Sequence, residues 1–257
     1  MMRVAFVLAV ILALGACGDN AVDAAGGGAT ITTRVVASLP PDGVMSMDLA
    51  AVDERRIVLA RVDRTDGAFC PDCVGLDPSE CPALCERSLV SASVLDLATG
   101  ALTPSQPVAT VFPASFDHSV DQVEVVALGG DRVGVAWLDC DNARCGGLFA
   151  KRSCTAMYTT LDLATGAVGA PVTLYTGWFG DLSLAFDQTS RRMLAVIAKD
   201  LVFGGGVFRA IYDDAARAVS PWQPLGSPAA RSPALLASGG HMTVVADDWS
   251  PNAAPRT

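Results

Sequence analysis

One pentapeptide occurs twice, letter for letter: Asp96-Leu97-Ala98-Thr99-Gly100 returns 66 residues later as Asp162-Leu163-Ala164-Thr165-Gly166. Verbatim recurrence at that distance constrains the fold more than composition does, because a chain that repeats itself stacks copies of one supersecondary unit. Each copy follows a β-prone run, Leu89 to Leu95 and Met157 to Leu161. Aspartate bonds its own backbone and glycine tolerates positive φ, so the pentapeptide predicts a corner between two strands. No sustained helical or heptad period occurs, and the repeating unit is therefore made of strands.

Reading backwards from the corners exposes a second recurring element, a short apolar strand that follows a polar turn and ends in Asp. Its copies are Arg56 to Asp63, Arg132 to Asp139, Arg192 to Asp200 and His241 to Asp247. Each is preceded by a turn and, before that, by another apolar stretch: Met47 to Val52, Val123 to Leu128, Leu182 to Phe186 and Ala234 to Ala237. Near-continuous apolarity in runs this short fits strands covered on both faces. A third corner, Asp213-Asp214-Ala215-Ala216-Arg217, keeps the Asp but has Ala and Arg where the others have Thr and Gly.

The unit so assembled is strand A, tight turn, strand B, loop, strand C, the Asp-Leu-Ala-Thr-Gly corner and a more polar strand D. It resembles the four-stranded antiparallel blade of a β-propeller. The all-β alternative, a sandwich, accounts for alternating strands but not for the verbatim repeat. The Asp-x-x-Thr-Gly corner is similar to that of quinoprotein-type and related bacterial propellers. Positions 101–104 and 167–170 lack the Trp of quinoprotein repeats, so the resemblance implies the fold and not quinone binding. The expected units are 44–112, 120–176, 180–226 and a partial 232–257, within a domain spanning 31–257. The fourth lacks a readable strand C before Thr257, as in a shortened reading frame of a longer parent or, alternatively, a compact four-bladed protein with a ragged last blade, and Ile31 to Ser38 could lend it an outer strand.

Ahead of that domain, residues 1–16 carry one basic residue, Arg3, and an apolar run from Val4 to Leu14 that is too short to span a bilayer, which needs about 20 residues. This reads as a signal peptide. Its end, Leu14-Gly15-Ala16-Cys17, resembles the lipobox of bacterial lipoproteins, which implies acylation of Cys17, anchoring to the membrane through lipid and, with Gly18 following, an outer-membrane location in the cell envelope. Residues 17–30 lack periodicity and are rich in Gly and Ala, as a flexible tether would be. Without residues 1–16 the chain has 17 basic against 27 acidic residues, a balance that argues against nucleic acid as a partner.

Seven cysteines remain for the exported domain. Cys70, Cys73, Cys81 and Cys85 fall in the first B–C loop, and Cys140, Cys145 and Cys154 in the second. In an oxidising compartment these clusters are disulfide candidates that pin long loops without a core of their own. Zinc on the first cluster is the alternative, against which stand the short central spacing and the export signal. Aspartates recur near the start of strand A (Asp48, Asp121, Asp181) and at the end of strand B (Asp63, Asp139, Asp200). Because A and B are antiparallel, both sets fall at the end that carries the cysteine loops, together with Trp178 and Phe179. Such a face could hold Ca²⁺ or a polyhydroxylated ligand, though recurrent Asp also serves simply to end strands and cap turns. His118 and His241 have no nucleophile motif around them, so no catalytic residues are assigned. The function expected is a lipid-anchored extracytoplasmic module that binds protein or glycan, with a glycan-acting or quinone-dependent propeller enzyme as the alternative.

Overall fold

The computed structural model of the chain describes residues 7–10, 34–38, 44–65, 87–111, 118–141, 153–199, 205–227, 230–238 and 241–248. These residues are all-β, with no helix among them. The first sheet has the order β3 (Val44–Ala51), β4 (Arg56–Thr65), β5 (Arg87–Asp96), β6 (Gln106–Val111). In the second, β7 (His118–Gly129), β8 (Arg132–Asp141), β9 (Ser153–Asp162) and β10 (Val172–Gly177) follow the same up-and-down path. The third runs β11 (Phe179–Asp187), β12 (Arg192–Lys199), β13 (Gly206–Asp213), and its outer edge is split between β14 (Ala218–Val219) and β15 (Gln223–Leu225), both paired to β13. A two-stranded sheet, β16 (Ala230–Ser238) and β17 (His241–Asp248), comes last. Consecutive antiparallel four-stranded sheets whose first strands lie against one another, β3 on β7, β7 on β11 and β11 on β16, make a β-propeller fold.

The N-terminal segment that could lend the last sheet an outer strand is not paired with that sheet among the described residues. β2 (Arg34–Ser38) pairs instead with β1 (Val7–Val10) in a separate ribbon. Both segments are apolar and β-branched, and antiparallel pairing satisfies backbone groups that neither strand can satisfy alone.

Strand alternation sets the packing. In β8 the side chains of Val133, Val135 and Trp137 meet the first sheet's Val58, Ala60 and Val62, whereas Ala136, Leu138 and Cys140 join the third sheet's Met193, Ala195 and Ile197. β8 is thus buried on both faces, which is why its sequence reads as apolar almost throughout. A smaller cluster around Leu194, Val196 and Val207 joins the third sheet to the last, beside an open cleft of about 810 Å³.

The repeated corners are closed by one set of bonds. Asp96 Oδ1 accepts from Ala98 N (2.9 Å), Thr99 N (2.8 Å) and Thr99 Oγ1 (3.0 Å), and Gly100 turns left-handed at φ 72°. Asp162 repeats this with Ala164, Thr165 and Gly166, again at φ 72°. The backbone N–H bonds first, and the Thr hydroxyl next, hold both carboxyls below the usual range. In the third corner Asp213 Oδ1 accepts from Ala215 N and Ala216 N, both at 3.0 Å, and Arg217 takes the glycine's place at φ 50°.

Candidate functional site

Strands β3, β7 and β11 begin, and β4, β8 and β12 end, at one edge of the sheets, opposite the Asp-x-x-Thr-Gly corners. Segments 66–86 and 142–152 leave from this edge and return to it, and the second is closed at its root by a disulfide between Cys140 and Cys154, register partners on β8 and β9. Cys17, Cys70, Cys73, Cys81, Cys85, Cys145 and Asp200 lie outside the described residues.

The aspartates expected to share this edge take separate roles. Asp63 Oδ2 lies 2.8 Å from Arg61 Nε, an ion pair whose N–H is not aligned for a hydrogen bond. Asp139 is half-buried opposite Val120 and Thr155, and Asp181 is exposed opposite Ala198. Asp121 is on β7. Among the described residues no three His, Cys, Asp or Glu side chains gather as a cation site. Phe179, grouped above with surface aromatics, is instead 3% exposed and packs edge-on against Tyr175 at 5.2 Å, because strand alternation turns it inward; Trp178 beside it is half-buried. Lys199 ends β12 over the rings of Phe208 (4.2 Å) and Tyr175 (5.1 Å).

Asp48 turns to the neighbouring sheet. Its Oδ2 accepts from Val125 N at 2.7 Å, and Ser46 Oγ accepts from Val123 N at 3.2 Å. One sheet further on the arrangement recurs: Gln122 Oε1 accepts from Leu182 N at 3.0 Å while its Nε2 donates to Leu182 O at 2.7 Å, and Glu124 accepts from the backbone of Leu184. The positions correspond, since Met47, Val123 and Leu182 pair with Arg61, Trp137 and Ile197 at the same place in the second strand of each sheet. Gln122 Nε2 also donates to Glu124 Oε1 at 2.9 Å. Burial, and then the nearby Asp48, push the Glu124 carboxyl up to about 7, and burial raises Asp48 as well. Gln122 and Glu124 were not singled out from sequence, though Glu124 stands alone as a charge within Val123 to Leu128.

Searches against family models and curated proteins match nothing. Solved structures give distant likenesses. An ACO/RPE65 chimera aligns with a TM-score of 0.44 and 12% identity over 74% of this chain and 41% of its own. A mutant Trypanosoma rangeli sialidase displaying trans-sialidase activity aligns with a TM-score of 0.43 and 16% identity over 86% of this chain and 36% of its own. The chain therefore spans about two fifths of the length of these structures. At such values the likeness says nothing about the activity or ligand of this chain.

Proposed function

We propose that the chain is a lipid-anchored extracytoplasmic propeller that binds protein or glycan through its loop-bearing edge. The observation that carries this reading is the Cys140–Cys154 disulfide at the root of segment 142–152. A disulfide suits an oxidising compartment, and a rigid scaffold that emits long segments from one edge is the usual way to present a binding surface. Processing ahead of Cys17 would remove β1 and release β2 from its ribbon. The test is capture of envelope proteins by photocrosslinking and a glycan array, using the full chain and a form with residues 68–84 replaced by a short Gly-Ser linker. Loss of capture in the shortened form supports the reading, and equal capture by both overturns it. Palmitate labelling of wild type but not of Cys17→Ser is expected, and an unlabelled wild type would refute the anchor.

One observation favours the enzyme reading, namely Glu124 at about 7 beside Asp48, since paired carboxyls with displaced pKa values are how acid and base roles are divided. Glycan turnover by the full chain, abolished in Glu124→Gln, would establish it. Absence of turnover with glycans that the chain binds would dismiss it.

A further inference from the structure

At the opposite edge, between the second and third sheets, lies a polar cavity of about 210 Å³ lined by Arg132, Tyr158, Thr160, Tyr212, Asp214 and Arg217, among others. Tyr158 is 1% exposed, and its hydroxyl has no hydrogen-bond partner among the described residues. A buried hydroxyl left so is destabilising, and a water or a ligand normally repairs it. The cavity far exceeds the ~10–15 Å³ that a single water needs.

Two backbone features serve this cavity. A Cβ at Gly134 would fall 2.6 Å from the Tyr158 hydroxyl oxygen, so glycine there makes room for the phenol. Arg217 occupies a left-handed position, φ 50°, that glycine fills in the two intact corners. Left-handed backbone strains a non-glycine residue, and such strain collects at functional sites. The Arg217 guanidinium donates to Ala170 O at 2.7 Å and has no carboxylate partner among the described residues, whereas Arg132 is paired with Asp214 at 2.8 Å. Two cations thus face one anion, and burial keeps the Tyr158 hydroxyl protonated and able to donate.

We propose that this cavity binds a small oxyanion, a phosphate or carboxylate group, through the guanidiniums of Arg217 and Arg132 and the hydroxyl of Tyr158. A planar guanidinium fork suits either group, and the second cation offsets Asp214. The site is separate from the loop-bearing edge, so it stands or falls independently of the function proposed above.

Calorimetric titration of the full chain with inorganic phosphate, and separately with acetate at matched ionic strength, tests this. Saturable binding with a Kd of about 1 mM is expected, weakened about tenfold in Arg217→Gln and about fivefold in Tyr158→Phe. Arg217→Gly suits the turn, and should bind phosphate as poorly as Arg217→Gln while melting no lower than wild type, which separates ligand loss from misfolding. Preference between phosphate and acetate identifies the source of the oxyanion. Absence of saturable binding, or wild-type affinity in Arg217→Gly or Tyr158→Phe, overturns the proposal and leaves the cavity to water.

Discussion

The interface between the first and second sheets and the one between the second and third share a frame and differ in filling. Arg56 opposite Asp96 and Arg132 opposite Asp162 mark the same corner, so Val58 corresponds to Gly134 and Ala92 to Tyr158. In the first interface a medium and a small aliphatic residue meet a wall of valines in one buried apolar cluster. In the second, glycine and tyrosine exchange bulk across the sheet, the phenol stands edge-on to Tyr212 at 4.9 Å, and a polar cavity opens beside it. Side-chain volume at two positions therefore changes how an interface of this fold is filled, while its strands and register stay the same.

Transplanting the pair is the strongest test of that comparison. Gly134→Val should cost at least about 3 kcal/mol, because the interior is close-packed and a Cβ there collides with the buried phenol. Tyr158→Ala should cost a similar amount through the cavity it leaves. The double variant recreates Val58 and Ala92, and chemical denaturation should find it more stable than either single variant. Simple addition of the two losses would mean that the positions are not exchanging volume.

Next in size is the disulfide, which only the second sheet carries among the described residues. The first sheet has Arg64 opposite Ser88 where the second has Cys140 opposite Cys154. Cys140→Ala with Cys154→Ala should lower stability by about 3 kcal/mol, the chain-entropy figure for a loop near 15 residues. Hydrogen exchange should show the loss at the ends of β8 and β9, with β4 and β5 unaffected. Equal loosening of both sheets would contradict an independent role for the brace.

Glu124 offers a smaller effect with a definite sign. Its folded-state pKa is raised to about 7 from an ordinary 4.5, so between those values the folded chain holds a proton that the unfolded chain has released. Stability then falls as pH rises through that window, by about 3 kcal/mol in all, and levels off above it. Glu124→Gln should flatten this stretch of the stability–pH curve and raise stability at about pH 8. An unchanged slope would show that the carboxyl is hydrated and ordinary. The smallest effect expected is at the corners, where Gly166→Ala should cost about 1 kcal/mol at its φ of 72° and Arg217→Gly should gain somewhat less than that. Melting curves of the two variants should move in opposite directions.

Much of this architecture was legible in the residues. Asp96 to Gly100 and Asp162 to Gly166 announced the corners because the turn is local, with each bond made within five residues. The apolar second strands announced themselves because burial on two faces leaves no polar position. The lateral relations were not legible. Nothing near Gly134 says that its partner in volume is Tyr158, and nothing near Glu124 says that it grips Leu184. Both depend on which sheet comes to lie alongside. Phe179 shows the same limit, since its inward direction follows from the strand's phase, which the neighbouring Trp178 obscures.

The grip of β3 on β7, and of β7 on β11, runs one way. Ser46 and Asp48 reach from β3 to the backbone of β7, and Gln122 reaches from β7 to the backbone of β11, where Glu124 also accepts. The gripping side must keep particular side chains, whereas the gripped side supplies only amide groups, which every residue but proline possesses. Sequence drift is therefore taxed unequally: the apolar side chains of a leading strand must still fill the core, but its part in these hydrogen bonds survives a change of almost any side chain. A duplicated copy placed after an existing sheet would receive these bonds before it had acquired a polar residue of its own to hold the next.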